Sequence, residues 1–180
     1  MYRIMLSVIA LATTLAASVG IGRAESTVGD VLRNRFERSR IEVQSTADEG
    51  RVVKKGTILL LQADQVPAAK FRVFQANTKS PRFHSPHYAR VEASRDGYLS
   101  ASPNELSLSR GTRMVVLDVK VSGNQVRLFT HTLDPVRLAD GTTTHGCTEF
   151  VFALDLGTDP GNVQAVSARI DQWLAIAPAS

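Results

Sequence analysis

Cysteine is almost missing from this chain: Cys147 is the single one in 180 residues. One thiol excludes an intrachain disulfide, so a domain of this length must be held by its apolar core. Beyond residue 21 no stretch is apolar enough to cross a membrane. There is no low-complexity tract and no linker that would split a domain. A nucleophilic serine elbow, a phosphate-cradling glycine loop and a regularly spaced acidic metal motif are all absent too. The chain therefore carries no signature of serine hydrolysis, nucleotide binding or carboxylate-bound metal.

What is present begins with an export signal. Arg3 supplies a positive start, Ile4 to Ile21 is apolar or small throughout, and Gly22-Arg23-Ala24 places small residues at the −3 and −1 positions a signal peptidase reads. No Cys lies near that junction, which excludes lipidation there. The apolar stretch is just long enough to span a bilayer if left uncleaved, but its Ser, Thr and Gly content and its small-residue end favour cleavage. The expectation is a signal peptide over 1–24, a single β-rich domain over 25–180, and a periplasmic or secreted location with no transmembrane segment after cleavage.

The charge left after that cleavage is small and uneven. Nineteen basic residues face 17 acidic ones, a net of +2. Residues 31–95 hold 13 basic and 6 acidic side chains, whereas 96–180 hold 6 and 9. A basic half outside the cell favours an anionic envelope component or an envelope protein as partner over nucleic acid. Arg33, Arg35, Lys54 and Lys55 are the candidate ligand-binding residues.

Periodicity places the elements. Thr27 and Asp30 form a short capping box, and Val28, Val31, Leu32 and Phe36 predict an amphipathic helix near 28–38. Strand patterns follow at 41–44, 58–62, 71–75 and 88–92. In 113–121 the alternation puts Val115, Leu117, Val119 and Val121 on one face. A turn at Ser122-Gly123-Asn124 leads to Val126, Leu128 and Thr130, and 148–154 closes the series with Phe150, Phe152 and Leu154. Asp159-Pro160 starts a last helix whose stripe is Val163, Val166, Ile170, Trp173 and Leu174. Basic-Gly-Thr sequences at 55–57 and 110–112 both lead into strands. The fold class expected is mainly β: a small antiparallel barrel or sandwich with a short N-terminal helix and a C-terminal amphipathic helix.

All four histidines lie in or beside the two long loops, 77–87 and 133–146. His84 and His87 are three apart with Pro86 between them, and a zinc site there would need His145 and Cys147 from the other loop. No metal and no cofactor is expected. Phe83, Tyr88, Tyr98 and Phe129 either finish the core or form an aromatic platform beside arginines. Thr144-His145-Gly146-Cys147 is the most specific string in the chain.

That string resembles the Ser/Thr-His-Gly-Cys motif of L,D-transpeptidases, exported enzymes that cross-link peptidoglycan through a Cys thiolate. The resemblance implies a nucleophilic Cys147, served by His145 and by an upstream His131. It covers 131–147, and it departs from the family after the Cys, where Thr148 and Glu149 stand in place of an apolar residue followed by Arg or Asn. The mature chain as a whole resembles, in pattern and order, small exported bacterial β-barrel proteins of uncharacterised function. That likeness implies a fold and brings no catalytic residues. The reading preferred from sequence is a non-enzymatic exported β-domain that binds an envelope component or partner protein, with Cys147 dispensable; the alternative is Cys-dependent acyl transfer on peptidoglycan. Export itself has a direct check: the intact mass of protein recovered from the periplasm should lack residues 1–24, and a full-length membrane-bound form would overturn the cleavage expectation.

Overall fold

The structure is a computed structural model that describes residues 20–43, 50–71, 87–94, 99–153 and 163–178. Most of the signal segment, His84, Phe83, Tyr98, Leu154, Asp159-Pro160 and most of the strand expected at 71–75 lie outside the described residues. Along the chain run α1 (Gly20–Arg35), β1 (Arg40–Val43), β2 (Gly50–Lys54), β3 (Ile58–Leu61), β4 (Val66–Lys70), β5 (Ala89–Ala93), β6 (Leu99–Ala101) and β7 (Leu106–Leu108). They are followed by β8 (Arg113–Ser122), β9 (Gln125–Thr132), β10 (Val136–Arg137), β11 (Thr143–Thr144), β12 (Gly146–Ala153), α2 (Val163–Asp171) and β13 (Leu174–Ile176).

The architecture is mainly β, a curled half-barrel sheet with short helices toward each end of the chain. Among the described residues nine strands join in one sheet, with the order β13-β3-β8-β9-β12-β4-β7, β5 branching from β12 and β6 paired to β5. All its pairings are antiparallel except β12 with β5. Two small hairpins, β1–β2 and β10–β11, stand outside it. The second of these breaks up the long loop expected over 133–146.

The core fills the concave side. Val28, Leu32 and Phe36 bring one stripe of α1 onto it and Ile170 brings α2. The sheet contributes Leu59, Leu61, Met114, Val116, Val119, Val126, Leu128, Phe150 and Phe152. Arg35 clamps the two helices by placing one guanidinium nitrogen 2.6 Å from each oxygen of Asp171. Buried hydroxyls on this side find carbonyls: Thr130 Oγ1 donates to Thr148 O and Thr148 Oγ1 to Pro67 O.

Three expectations need correction. Helix α1 runs from Gly20 to Arg35, so Thr27-Asp30 sits inside it rather than capping it, and the chain leaves the helix before 38. Helix α2 stops at Asp171; Trp173 lies in a turn, and Leu174 joins the sheet as the start of an edge strand paired to β3. The apolar stripe is thus shared by a helix and the strand after it, both facing the same core. The third correction concerns β8. Its register with β9 shifts between Val116 and Asp118, leaving Leu117 as the unpaired extra residue. An added residue reverses the facing of everything beyond it. Val119 and Val121 therefore pair with Leu128 and Val126, facing the core, while Val115 pairs with His131 on the opposite face. The expected single stripe of Val115, Leu117, Val119 and Val121 is split by the bulge.

Truncation tests this division. Phe150→Ala removes a fully buried ring at the centre of the core and should cost roughly 3–5 kcal/mol in urea-unfolding stability, with Leu117→Ala costing much less because the bulge residue is only half-buried.

Candidate functional site

The convex face of the sheet carries the chemistry. Residues paired directly across strands share a face, and this places Val115, His131, Cys147 and Ala69 in one row across β8, β9, β12 and β4. The next row is Asp118, Phe129, Glu149 and Arg90, and the one after it Lys120, Arg127, Val151 and Glu92.

In the first row the sequence-predicted trio comes together. Cys147 pairs directly with His131, and the ring of His131 stacks on that of His145 with centroids 4.6 Å apart. Phe71 meets His131 edge-on at 5.2 Å, and its backbone N–H donates to His145 O. His145 Nδ1 lies 2.9 Å from Thr132 O, a carbonyl that can only accept, so Nδ1 carries the proton. Thr132 Oγ1 in turn accepts from the Gly146 N–H. These contacts fix His145, whereas among the described residues neither ring nitrogen of His131 reaches a hydrogen-bond partner although the side chain is fully buried.

Burial sets the protonation states. It holds His131 down to about 3, with the neighbouring His145 adding to the effect, so the ring is neutral at pH 7. It pushes the Cys147 thiol up to about 12. Tyr88 is also raised, first by burial and then by Cys147, Asp118 and Glu149 nearby. A nucleophilic cysteine needs an electropositive, partly open setting. Here the thiol is sealed, and the ring paired beside it carries no charge.

The middle rows form a charged aromatic surface. Tyr88 meets Phe129 edge-on at 5.1 Å, and Lys120 and Arg127 lie over the Phe129 ring. Arg127 pairs with the nearly buried Glu149, and Arg90 sits 4.0 Å from the same carboxylate. Asp118 takes Arg38 and Lys120. The alternation of Arg127, Phe129 and His131 along β9 was the signal for these rows; only the register with β12 shows that Glu149 joins them.

The candidate ligand residues divide. Arg33 pairs with Asp30 and Arg35 with Asp171, so both charges are matched within the fold. Lys54 and Lys55 belong to the β1–β2 ribbon and the residue after it, where Lys54 meets Glu37 at 2.9 Å across two exposed side chains. Among the described side chains, Arg40, Arg51 and Lys55 on the same ribbon form no ion pair; neither arginine was among the ligand candidates of the sequence. His87 is exposed, and among the described residues no cluster of three or more His, Cys, Asp and Glu side chains is placed to hold a metal ion.

The buried imidazole predicts an acid limit. Its pKa is lower folded than unfolded (about 3 against about 6.5), so between those values the unfolded chain binds the extra proton and stability falls as pH falls. Urea titrations from pH 7 to pH 4 should show a loss on the order of 1 kcal/mol per pH unit below about 6, and His131→Phe should flatten that slope.

Comparison with known proteins gives no matching family model, no matching curated protein and no matching solved structure.

Proposed function

We propose that this chain is an exported, non-enzymatic β-domain that binds an anionic cell-envelope component through the β1–β2 ribbon. The observation that carries the reading is the charge of that ribbon. Arg40, Arg51, Lys54 and Lys55 are all exposed, and three of the four form no ion pair among the described side chains, a set that does not include Glu42. The Lys54–Glu37 pair is itself open to water, where such a bridge contributes little. Arg40 and Lys54 stand directly opposite each other in the register. Like charges facing across a strand pair oppose folding, so a partner that neutralises them is favoured. The register shifts at Val53, the unpaired extra residue of β2, which puts Arg51 on the same side of the ribbon as Arg40 and Lys54 and leaves Val53 46% exposed beside the cations. Glu42 opposite Arg51 is the one acid of the two strands; Asp48 and Glu49, between them in sequence, lie outside the described residues.

Acyl transfer by Cys147 is the second reading, and the meeting of His131, His145 and Cys147 favours it. Their protonation states oppose it: a thiol held near 12 beside a neutral imidazole supplies almost no thiolate at pH 7.

The test uses phosphatidylglycerol vesicles and purified peptidoglycan sacculi as probes. Contacts between exposed charges are screened beyond about 10 Å at 0.1 M salt, so co-sedimentation should fall as salt rises from 0.05 to 0.5 M (roughly a threefold drop in Debye length). Substituting Arg40, Arg51, Lys54 and Lys55 by Gln together should abolish it, while Arg33→Gln should change it little. Cys147→Ala should bind like the wild type; it is a cleaner probe than Ser, whose hydroxyl would enter a sealed site. Salt-independent binding would overturn the reading, and so would a peptidoglycan cross-linking activity lost in Cys147→Ala.

A further inference from the structure

We propose that Asp140-Gly141, in the turn of the β10–β11 hairpin, is a latent isomerisation site that Thr142 holds shut. Asp-Gly favours this chemistry because glycine has no side chain to hinder the approach of its own nitrogen to the preceding carboxyl. The dipeptide occurs twice in the chain, at 96–97 and 140–141, and the first pair lies outside the described residues. Asp140 and Gly141 are both exposed, and a Cβ built on Gly141 would meet nothing within 4 Å. The surroundings therefore leave room for the backbone to rearrange.

The reaction has two steps and no co-reactant but water. The Gly141 nitrogen attacks Asp140 Cγ: the N–Cγ bond forms, a Cγ–O bond breaks, and the amide proton and the departing hydroxyl leave as water. Water then opens the resulting succinimide. Attack at the Asp140 carbonyl carbon breaks its bond to nitrogen, so Gly141 stays joined through Cγ as isoaspartate and the water lost is regained. The first step needs a protonated carboxyl, whose hydroxyl can leave, and an amide nitrogen able to reach it.

The turn opposes both needs. Asp140 Oδ1 accepts from Thr142 Oγ1 at 2.6 Å and from the Thr142 N–H at 2.9 Å. These bonds, the hydroxyl's first, hold the carboxyl below the usual carboxylate range, which depletes its protonated form. The Gly141 N–H donates to Leu138 O at 3.0 Å, and the Leu138 N–H to Thr142 O at 2.8 Å, with Gly141 at φ +85°. The nucleophilic nitrogen is thus engaged inside the turn. Isoaspartate would add one carbon to the main chain between Arg137 and Thr143, which pair directly. It would loosen a hairpin whose Val136 and Leu138 pack on the core and whose Thr144 leads into His145.

The full chain is incubated at pH 7, folded or in urea, then digested, and isoaspartate at position 140 is measured by electron-transfer fragmentation. The folded wild type should isomerise at least about tenfold more slowly than the unfolded chain, as the loss of a protonated carboxyl and a free amide requires. Thr142→Val keeps the N–H and loses the hydroxyl; it should raise the folded rate roughly three- to tenfold, the loss of one charge-assisted hydrogen bond in water. Thr142→Ser keeps the hydroxyl and should stay near the wild type. In urea all three chains should react alike, and circular dichroism checks that each variant is folded without it. Equal rates in folded and unfolded wild type would overturn the proposal. So would a folded Thr142→Val chain no faster than the wild type, a Thr142→Ser chain as fast as Thr142→Val, or an acceleration by Thr142→Val that persists in urea.

Discussion

One extra residue in β8 decides how this sheet is used. The bulge at Leu117 lets Val119 and Val121 join the hydrophobic core while Val115 turns to the other side. Without it the period-2 alternation would carry all four positions to one face. Because β9 is paired along the full length of β8, the same shift fixes where His131 and Phe129 lie relative to Asp118 and Lys120. The convex surface is built on that parity: a sealed row at His131 and Cys147, and a charged row at Phe129 and Glu149.

Most of the fold was legible because alternation and turns are local signals. Val126, Leu128, Phe150 and Phe152 form the inward stripe that the pattern indicates, and Ser122-Gly123-Asn124 closes the hairpin. The failures are equally physical. A bulge leaves no mark in Met114 to Leu117, four apolar residues in succession, and its presence is decided by the partner strand. The stripe from Val163 to Leu174 looks helical throughout because a helix and the strand after it bury side chains against one core. The site was legible as a set of residue types but not as an environment. His131, His145 and Cys147 were identifiable, yet His131 lies against Gly50, a residue with no side chain to advertise it.

Charge shows the same limit. The excess of cations in residues 31–95 is real, but the fold spends much of it internally, on Asp30, Asp171, Asp118 and Glu37. What separates Arg40, Arg51 and Lys55 from Arg33 and Arg35 is not composition. Helix α1 leans its last turn against α2, bringing Arg35 to Asp171, whereas no acidic side chain among those described pairs with Arg40, Arg51 or Lys55. Sequence charge becomes a binding surface only after this internal pairing is subtracted.

The tetrapeptide Thr144 to Cys147 makes the final point about motif and environment. A thiol next to imidazoles is a nucleophile when water and positive charge reach it, and an inert core atom when they do not. Here the two rings stack on each other, one fixed by Thr132 and the other left without a partner, under a glycine that fits against its Nε2. The arrangement raises the thiol and lowers the imidazole, the opposite of what transfer chemistry requires. A fully buried imidazole with two unsatisfied nitrogens is costly to keep.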